Sequence, residues 1–328
     1  MKVLIVKLSS LGDVVHAMPA VQDIRAVHPD AVIDWVVEPA FAPLVRRVAG
    51  VRRVIECSMR RWRRAWWTGA TRAEWRAFKA QLQEEPYDAV IDLQGLTKSA
   101  IVAKLARGTR FGLANQTEGS SYEAPAGWLV DHAIRVEPHI HAMDRSRVLV
   151  GAALGRAPEG PPKYGLNPKQ RVFRTASPTV AFVHGTSRDD KLWPTDHWVQ
   201  LGKRVIDAGW RIALPQGNEM EQTRAEMIAA GLQFEKAFHV EVWPSLPLDG
   251  VLDRLALTQG VIGVDSGLSH IAVALDMPHV QLYNFPTAWR TGPQPSHGHL
   301  HQVALEGRPI PTVQATWLAW SNVLVAAS

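Results

Sequence analysis

The chain of 328 residues contains a single cysteine, Cys57. That excludes an internal disulfide and any zinc cage built from several thiolates, and it fits a reducing cytoplasm. No run of eighteen apolar residues occurs, which excludes a membrane-spanning helix. The opening Met1-Lys2-Val3-Leu4-Ile5-Val6-Lys7 has too short an apolar run for a secretion signal and reads as a first strand. His139, His141, His184 and His270 are not spaced as a metal cluster within one element, so each reads as a structural histidine and no metal is expected. There is neither an internal repeat nor a low-complexity tract. What is present is length for about two domains and 46% apolar residues, ample for real cores. The net charge of +5 is modest but unevenly spread.

Short apolar runs alternate with helical patterns. Residues 2–8 alternate too little for a half-exposed strand and suit a central parallel one. A helical pattern over 14–27, a strand at 32–37, a helix at 41–48 and strands at 51–57 and 87–93 follow, then a helix ending near Ala106. The pattern is irregular from Phe111 to Val136, and a helix is expected from about His139 to Leu154. Residues 155–177, rich in Pro, Gly and Arg, read as an interdomain segment. A second series then begins, with strands at 179–183, 211–214, 238–243, 260–264 and 279–283, helices between them, and a final amphipathic helix after Pro311. Such alternation predicts doubly wound parallel sheets with right-handed crossovers.

Two strand ends suit a phosphate. The run Val261-Ile262-Gly263-Val264 leads into Asp265-Ser266-Gly267 and at once into a helix. A helix start carries unpaired N–H groups and about half a positive charge. Gly267 allows close backbone approach, and Ser266 can cap the helix or bond a phosphate oxygen. An ordinary strand-to-helix turn reads the same way. After the strand at 179–183 come His184-Gly-Thr-Ser-Arg-Asp-Asp-Lys191-Leu-Trp193-Pro194, small hydroxyl residues and one lysine. Both stretches lie beyond carboxyl ends of strands, where open α/β sheets bind ligands.

Between Arg46 and Arg76 ten arginines face two acids, Glu56 and Glu74, with Trp62, Trp66, Trp67 and Trp75 interleaved. Guanidinium forks match phosphate and carboxylate, so this surface suits a polyanion. Nucleic acid, anionic lipid, or an acidic sugar on a lipid would each use arginine with tryptophan, and a solvated arginine-rich face is the plainer alternative.

Three segments in order, Leu4-Ile-Val-Lys7-Leu-Ser-Ser-Leu-Gly12-Asp13-Val-Val-His16, His184 to Pro194, and Asp265-Ser-Gly-Leu-Ser-His270, resemble the ADP-heptose:lipopolysaccharide heptosyltransferase I family over essentially the whole chain. The resemblance implies a GT-B glycosyltransferase, with two Rossmann-like doubly wound domains facing a central cleft. Residues 1–160 would bind the acceptor, 161–310 would bind ADP-heptose, and a helix over 311–328 would pack back on the first domain. It implies inverting transfer of L-glycero-D-manno-heptose from ADP-heptose to the Kdo residue of Kdo2-lipid A, in the cytoplasm, with peripheral contact to the anionic inner face of the inner membrane. Neither a cofactor, a required metal nor nucleic acid is expected.

Carried onto this sequence, the resemblance makes Asp13 the base and Lys191 the cation facing the departing diphosphate. Thr186, Ser187, Lys191, Glu221, Leu246, Asp265, Ser266, Gly267, Leu268 and His270 would bind the donor, with Asp265 at the heptose hydroxyls and Glu221 at the ribose. Ser10, Gly12, Arg60, Arg61, Arg63, Arg64 and Lys98 would bind the acceptor. Each has a plainer reading: Asp13 a helix N-cap, Lys191 a surface lysine, Glu221 an exposed first-turn acid. Gly185 and Ser266 stand where relatives often have Ala and Thr, and both keep the size and polarity needed. The competing readings are a second-type heptosyltransferase, which adds to heptose rather than Kdo, and a non-enzymatic binder of anionic lipid or nucleic acid.

Overall fold

The computed structural model describes residues 1–171, 178–232, 239–294 and 301–327. The end of the expected interdomain segment, 172–177, and the first residue of the strand expected at 238–243 lie outside them. The chain divides into two compact units, Met1–Leu166 and Asn167–Ser328. The boundary falls later than the expected 160/161 because Ala49 N donates to Gly165 O at 2.7 Å and Val48 bridges Leu166, holding that segment to the first unit.

The first unit has strands β1 (Lys2–Val6), β2 (Val32–Val37), β3 (Val51–Glu56), β4 (Ala89–Asp92), β5 (Thr109–Leu113) and β6 (His132–Ile134). All pair in parallel, in the order β3-β2-β1-β4-β5-β6. The second unit has β7 (Thr179–Val183), β8 (Arg211–Leu214), β9 (Val240–Val242), β10 (Gly260–Val264), β11 (His279–Tyr283) and β12 (Gln302–Glu306), also all parallel, ordered β12-β11-β10-β7-β8-β9. The strand order therefore reverses direction between β1 and β4 in one unit and between β7 and β10 in the other. A crevice for ligands opens at such a point, beyond the carboxyl ends of the two strands.

Strands β5 and β6 fall within or beside the stretch read as irregular, and β12 was not foreseen. Their sequences, Thr-Arg-Phe-Gly-Leu, His-Ala-Ile and Gln-Val-Ala-Leu-Glu, lack continuous apolar runs. β6 and β12 are edge strands, where burial on both faces is not required.

The core of the first unit gathers Leu4, Val6, Val36, Val90, Phe78 and Trp62. That of the second is built on Phe182, Trp193, Trp198, Ile262 and Trp320. Trp198 meets Phe182 at 5.0 Å and Trp193 at 4.9 Å between ring centroids. Full burial of a large apolar side chain is worth roughly 1.5–3 kcal/mol, and a well-disposed aromatic pair adds about 0.5–1.5. The helix Val313–Ala327 contributes Val313, Trp320 and Val323 to the second unit's core. Its Trp320 lies directly over Gly260, where a Cβ would come within 2.4 Å of the indole, and meets Trp210 edge to face at 5.3 Å. Only glycine at 260 leaves room for that ring.

Candidate functional site

In the second unit two loops leave neighbouring strands, since Gly263 of β10 pairs with Val183 of β7. After β10, Asp265 turns the chain and Ser266 stands at the N-cap position of the helix Gly267–Ala274 without a side-chain capping bond. After β7, the segment His184 to Arg188 leads into a short turn, Asp189–Lys191. Trp193, fully buried and donating from Nε1 to Pro311 O at 2.8 Å, anchors this loop in the core. It therefore holds Lys191 in place rather than facing a ligand.

Lys191 Nζ donates to Asp265 Oδ2 at 2.5 Å, His270 Nε2 lies 3.4 Å from Asp265 Oδ1, and Thr186 Oγ1 donates to Asp265 O at 3.2 Å. Burial alone would raise the Asp265 carboxyl, but His270 and Lys191 outweigh it and hold the group well below the usual carboxylate range. Lys191 is thus not a surface lysine. His270, which also meets Gln281 at 3.5 Å, is part of this constellation rather than only a core residue. Ser266 Oγ is buried and has no hydrogen-bond partner among the described residues. Gly267, Leu268 and Ser269 form the first turn of the helix beyond it.

Glu221 is half-buried. Its Oε2 accepts from Gly217 N at 2.8 Å, and its carboxyl packs on Gly185, where a Cβ would approach within 2.7 Å. An alanine at 185 would press first on this movable carboxyl. Ser187 is exposed in the same loop, and Leu246 is partly buried in the turn ahead of the helix Leu248–Leu255.

In the first unit the reversal between β1 and β4 carries Asp13. Ser10 is the N-cap of the helix Leu11–Val27, and Asp13 stands at its third residue, so the plainer reading of Asp13 as the N-cap itself does not hold. Asp13 Oδ2 accepts from Ser10 N at 3.2 Å and from Ser10 Oγ at 2.9 Å, the reach-back of a capping box. Its Oδ1 lies 3.7 Å from Lys7 Nζ and 3.9 Å from Arg145 Nη2. Burial would raise this carboxyl, but Lys7, Arg145 and the Ser10 hydrogen bonds together hold it well below the usual range. Lys7 is itself buried at the end of β1, where burial pushes its ammonium down against the pull of Asp13.

Beside it, Gln94 Oε1 accepts from Leu8 N at 2.7 Å and ties the loop after β4 to the loop after β1. Lys98 Nζ lies 3.5 Å from Ser9 Oγ, and Gly12 is in the helix's first turn. Sequence reasoning gave no role to Lys7, Arg145 or Gln94. A lysine ending an apolar parallel strand was the one available signal, since the other two arrive from distant elements.

The basic segment is divided by the fold. Arg52 and Arg53 turn to the fully buried Asp34, at 2.8 and 3.0 Å, and Arg53 also meets Tyr87 Oη at 3.1 Å. Arg46 pairs with Glu56 at 2.5 Å. These three serve the first unit's own carboxylates. Arg60, Arg61, Arg63 and Arg64 lie on the short helix Met59–Arg64 and are exposed, with Arg61 paired to Glu74 at 2.5 Å. Trp62 is buried against Trp75 and Phe78, whereas Trp66 and Trp67 are 51% and 75% exposed.

Two doubly wound units, each with charged groups gathered at its reversal point, define the GT-B class of glycosyltransferases. Glycosyltransferase family 9 (heptosyltransferase) matches residues 75–314. Lipopolysaccharide heptosyltransferase 1 of Escherichia coli K12 is 42% identical over 290 residues, covering 86% of this chain and 88% of that protein. The enzyme of the same name from Pseudomonas aeruginosa is 39% identical over 285 residues, 86% of this chain and 78% of its own. Lipopolysaccharide heptosyltransferase 2 of Escherichia coli K12 is 28% identical over 305 residues, 86% of this chain and 82% of its own. The structure of the E. coli heptosyltransferase WaaC with ADP superposes with a TM-score of 0.85 at 35% identity, covering 100% of both chains. The chain belongs to glycosyltransferase family 9, the heptosyltransferases, and is an enzyme of glycosyl transfer.

Proposed function

We propose that this enzyme is a lipopolysaccharide heptosyltransferase of the first type, moving L-glycero-D-manno-heptose from ADP-heptose to the Kdo residue of Kdo2-lipid A with inversion. The observation that carries the donor half is the meeting of Lys191, Asp265 and Ser266 at the reversal between β7 and β10. The acceptor hydroxyl oxygen attacks the anomeric carbon as the bond to the diphosphate breaks. Asp13 takes the hydroxyl proton, and Lys191 with the helix start at Ser266 receives the charge developing on ADP. Because Asp13 is a weak base, the proton leaves late, once bond formation has made the hydroxyl acidic. Identity of 42% to the first type against 28% to the second favours Kdo over heptose as acceptor. The deciding experiment is incubation with ADP-heptose and either Kdo2-lipid A or heptosyl-Kdo2-lipid A, reading product mass. Turnover of the second acceptor alone would make it a second-type enzyme.

Activity is expected to survive EDTA. Among the described residues no group of three or more His, Cys, Asp and Glu side chains is placed to hold a metal, and Lys191 supplies a fixed cation at the donor site. Complete loss of turnover that returns with a divalent ion would refute this.

Replacing Arg60, Arg61, Arg63 and Arg64 together by alanine is expected to raise acceptor KM and spare ADP affinity, since the donor residues lie in the other unit. The effect should shrink with added salt, because exposed charges are screened over about 8–10 Å at physiological ionic strength. An equal fall in calorimetric ADP affinity would contradict the division. Trp66 and Trp67, exposed among Arg63, Arg64, Arg72 and Arg76, suit peripheral contact with an anionic cytoplasmic membrane face. No described helix is long and apolar enough to cross a membrane.

A further inference from the structure

Glu38 follows β2 and is fixed beside the end of β1, because its backbone N donates to Leu8 O at 3.1 Å. Its side chain is only 12% exposed, and its Oε1 faces two cations carried by separate elements: Arg60 Nε at 3.4 Å, from the helix Met59–Arg64, and Lys98 Nζ at 3.8 Å, from the helix Thr97–Leu105. Oε1 is shut off from solvent, yet no hydrogen bond is completed to it.

The same unit shows what a sealed ion pair looks like. Arg147 donates to Asp23 from Nε and Nη2 at 2.8 and 2.9 Å, a two-point pair that satisfies both carboxylate oxygens. Glu38, withdrawn from solvent to the same degree, differs in its geometry. Its distances exceed the roughly 2.7–2.9 Å of a charge-assisted bond, and one oxygen is shared by two cations. Arg60 approaches it through Nε and remains 70% exposed. A carboxylate withdrawn from water is costly unless opposite charge stands near, so the arrangement holds the cations without saturating their donors. Around Glu38 two cations share one carboxylate, and Lys98 Nζ also lies 3.5 Å from Ser9 Oγ, while Glu123 stands near enough to feel the Lys98 charge.

We propose that Glu38 is a positioning residue of the acceptor site, gathering Arg60 and Lys98 into one receptor for the carboxylate of the incoming sugar. This rests on the reading that the first unit binds the acceptor. Without Glu38 both long side chains would have to be ordered by the acceptor itself, at a cost taken from binding.

The test is steady-state kinetics with ADP-heptose and Kdo2-lipid A for Glu38→Gln, Arg60→Ala, Lys98→Ala and the double variant Glu38→Gln/Arg60→Ala. Glu38→Gln should raise acceptor KM on the order of tenfold, with donor KM and kcat at saturating acceptor little changed, as expected when side-chain ordering is charged to binding. In the Arg60→Ala background the same change should add much less, because one tethered partner is gone; a purely structural role would add in full. Should Glu38→Gln fail to fold, Glu38→Asp, which keeps the charge but shortens its reach, is expected to shift acceptor KM in the same direction. If Arg60→Ala and Lys98→Ala raise acceptor KM while Glu38→Gln leaves or lowers it, the positioning role is overturned and the acceptor assignment stands. If neither cation variant moves acceptor KM, the acceptor assignment itself fails.

Discussion

Asp13→Asn is expected to lower turnover by about a hundredfold to ten-thousandfold, the range that general-base catalysis supplies, with ADP-heptose binding hardly changed. Asparagine keeps the size of the side chain and an oxygen for Ser10 N, so the capping interaction of the helix Leu11–Val27 largely persists. What it loses is the charge facing Lys7 and Arg145. A modest fall in melting temperature is therefore expected as well, because buried Lys7 loses a neighbouring carboxylate. Turnover must be measured well below that temperature. Near-normal kcat in a folded Asp13→Asn enzyme would reduce Asp13 to a capping residue and leave the base unidentified. The pH profile gives a second check. The folded carboxyl is depressed, so it stays ionised as pH falls toward the ordinary carboxylate value of about 4, and its electrostatic contribution to stability is lost only below that. An acid limb of kcat/KM near pH 5–6 therefore belongs to another group and should persist in the residual activity of Asp13→Asn.

Lys191→Ala should lower kcat by about ten- to a thousand-fold, the scale for removing one electrostatic stabiliser of a developing charge. The structure adds a complication, because Lys191 is the close partner of buried Asp265. Removing the cation alone leaves that carboxylate supported mainly by His270, and breaking a buried pair from one side destabilises the fold. Lys191→Ala should therefore also melt earlier. The double variant Lys191→Ala/Asp265→Asn separates the two effects, since it removes the stranded charge but cannot restore a cation at the diphosphate. Its melting temperature should recover while kcat stays low. Recovery of kcat in the double variant would show that Lys191 acts by neutralising Asp265 and not by receiving charge from the departing ADP.

The division between what was legible and what was not follows the range of the forces involved. Central parallel strands are buried on both faces, so β2, β7, β8, β10 and β11 stand in the sequence as mostly apolar runs, broken by Asp34 in β2 and Gln281 in β11, with the bounds the structure gives them. The strand-turn-helix at Val264 to Ala274 was legible for the same reason, because a loop and a helix start are local chemistry. Strands β5, β6 and β12, which lack such runs, were not. The site was legible as a set of residues and not as a set of partners. Nothing in the arginine count of 46–76 distinguishes Arg52 and Arg53, spent on Asp34 and Tyr87, from Arg63 and Arg64, which face solvent. Nor could periodicity bring Arg145 to Asp13, Glu38 to Arg60 and Lys98, or Trp320 to Gly260. Local sequence fixes which backbone segments become strands and helices. Which side chain meets which is settled only when sheets and helices pack, because burial forces each charge and each large ring to find a complement among residues far away along the chain.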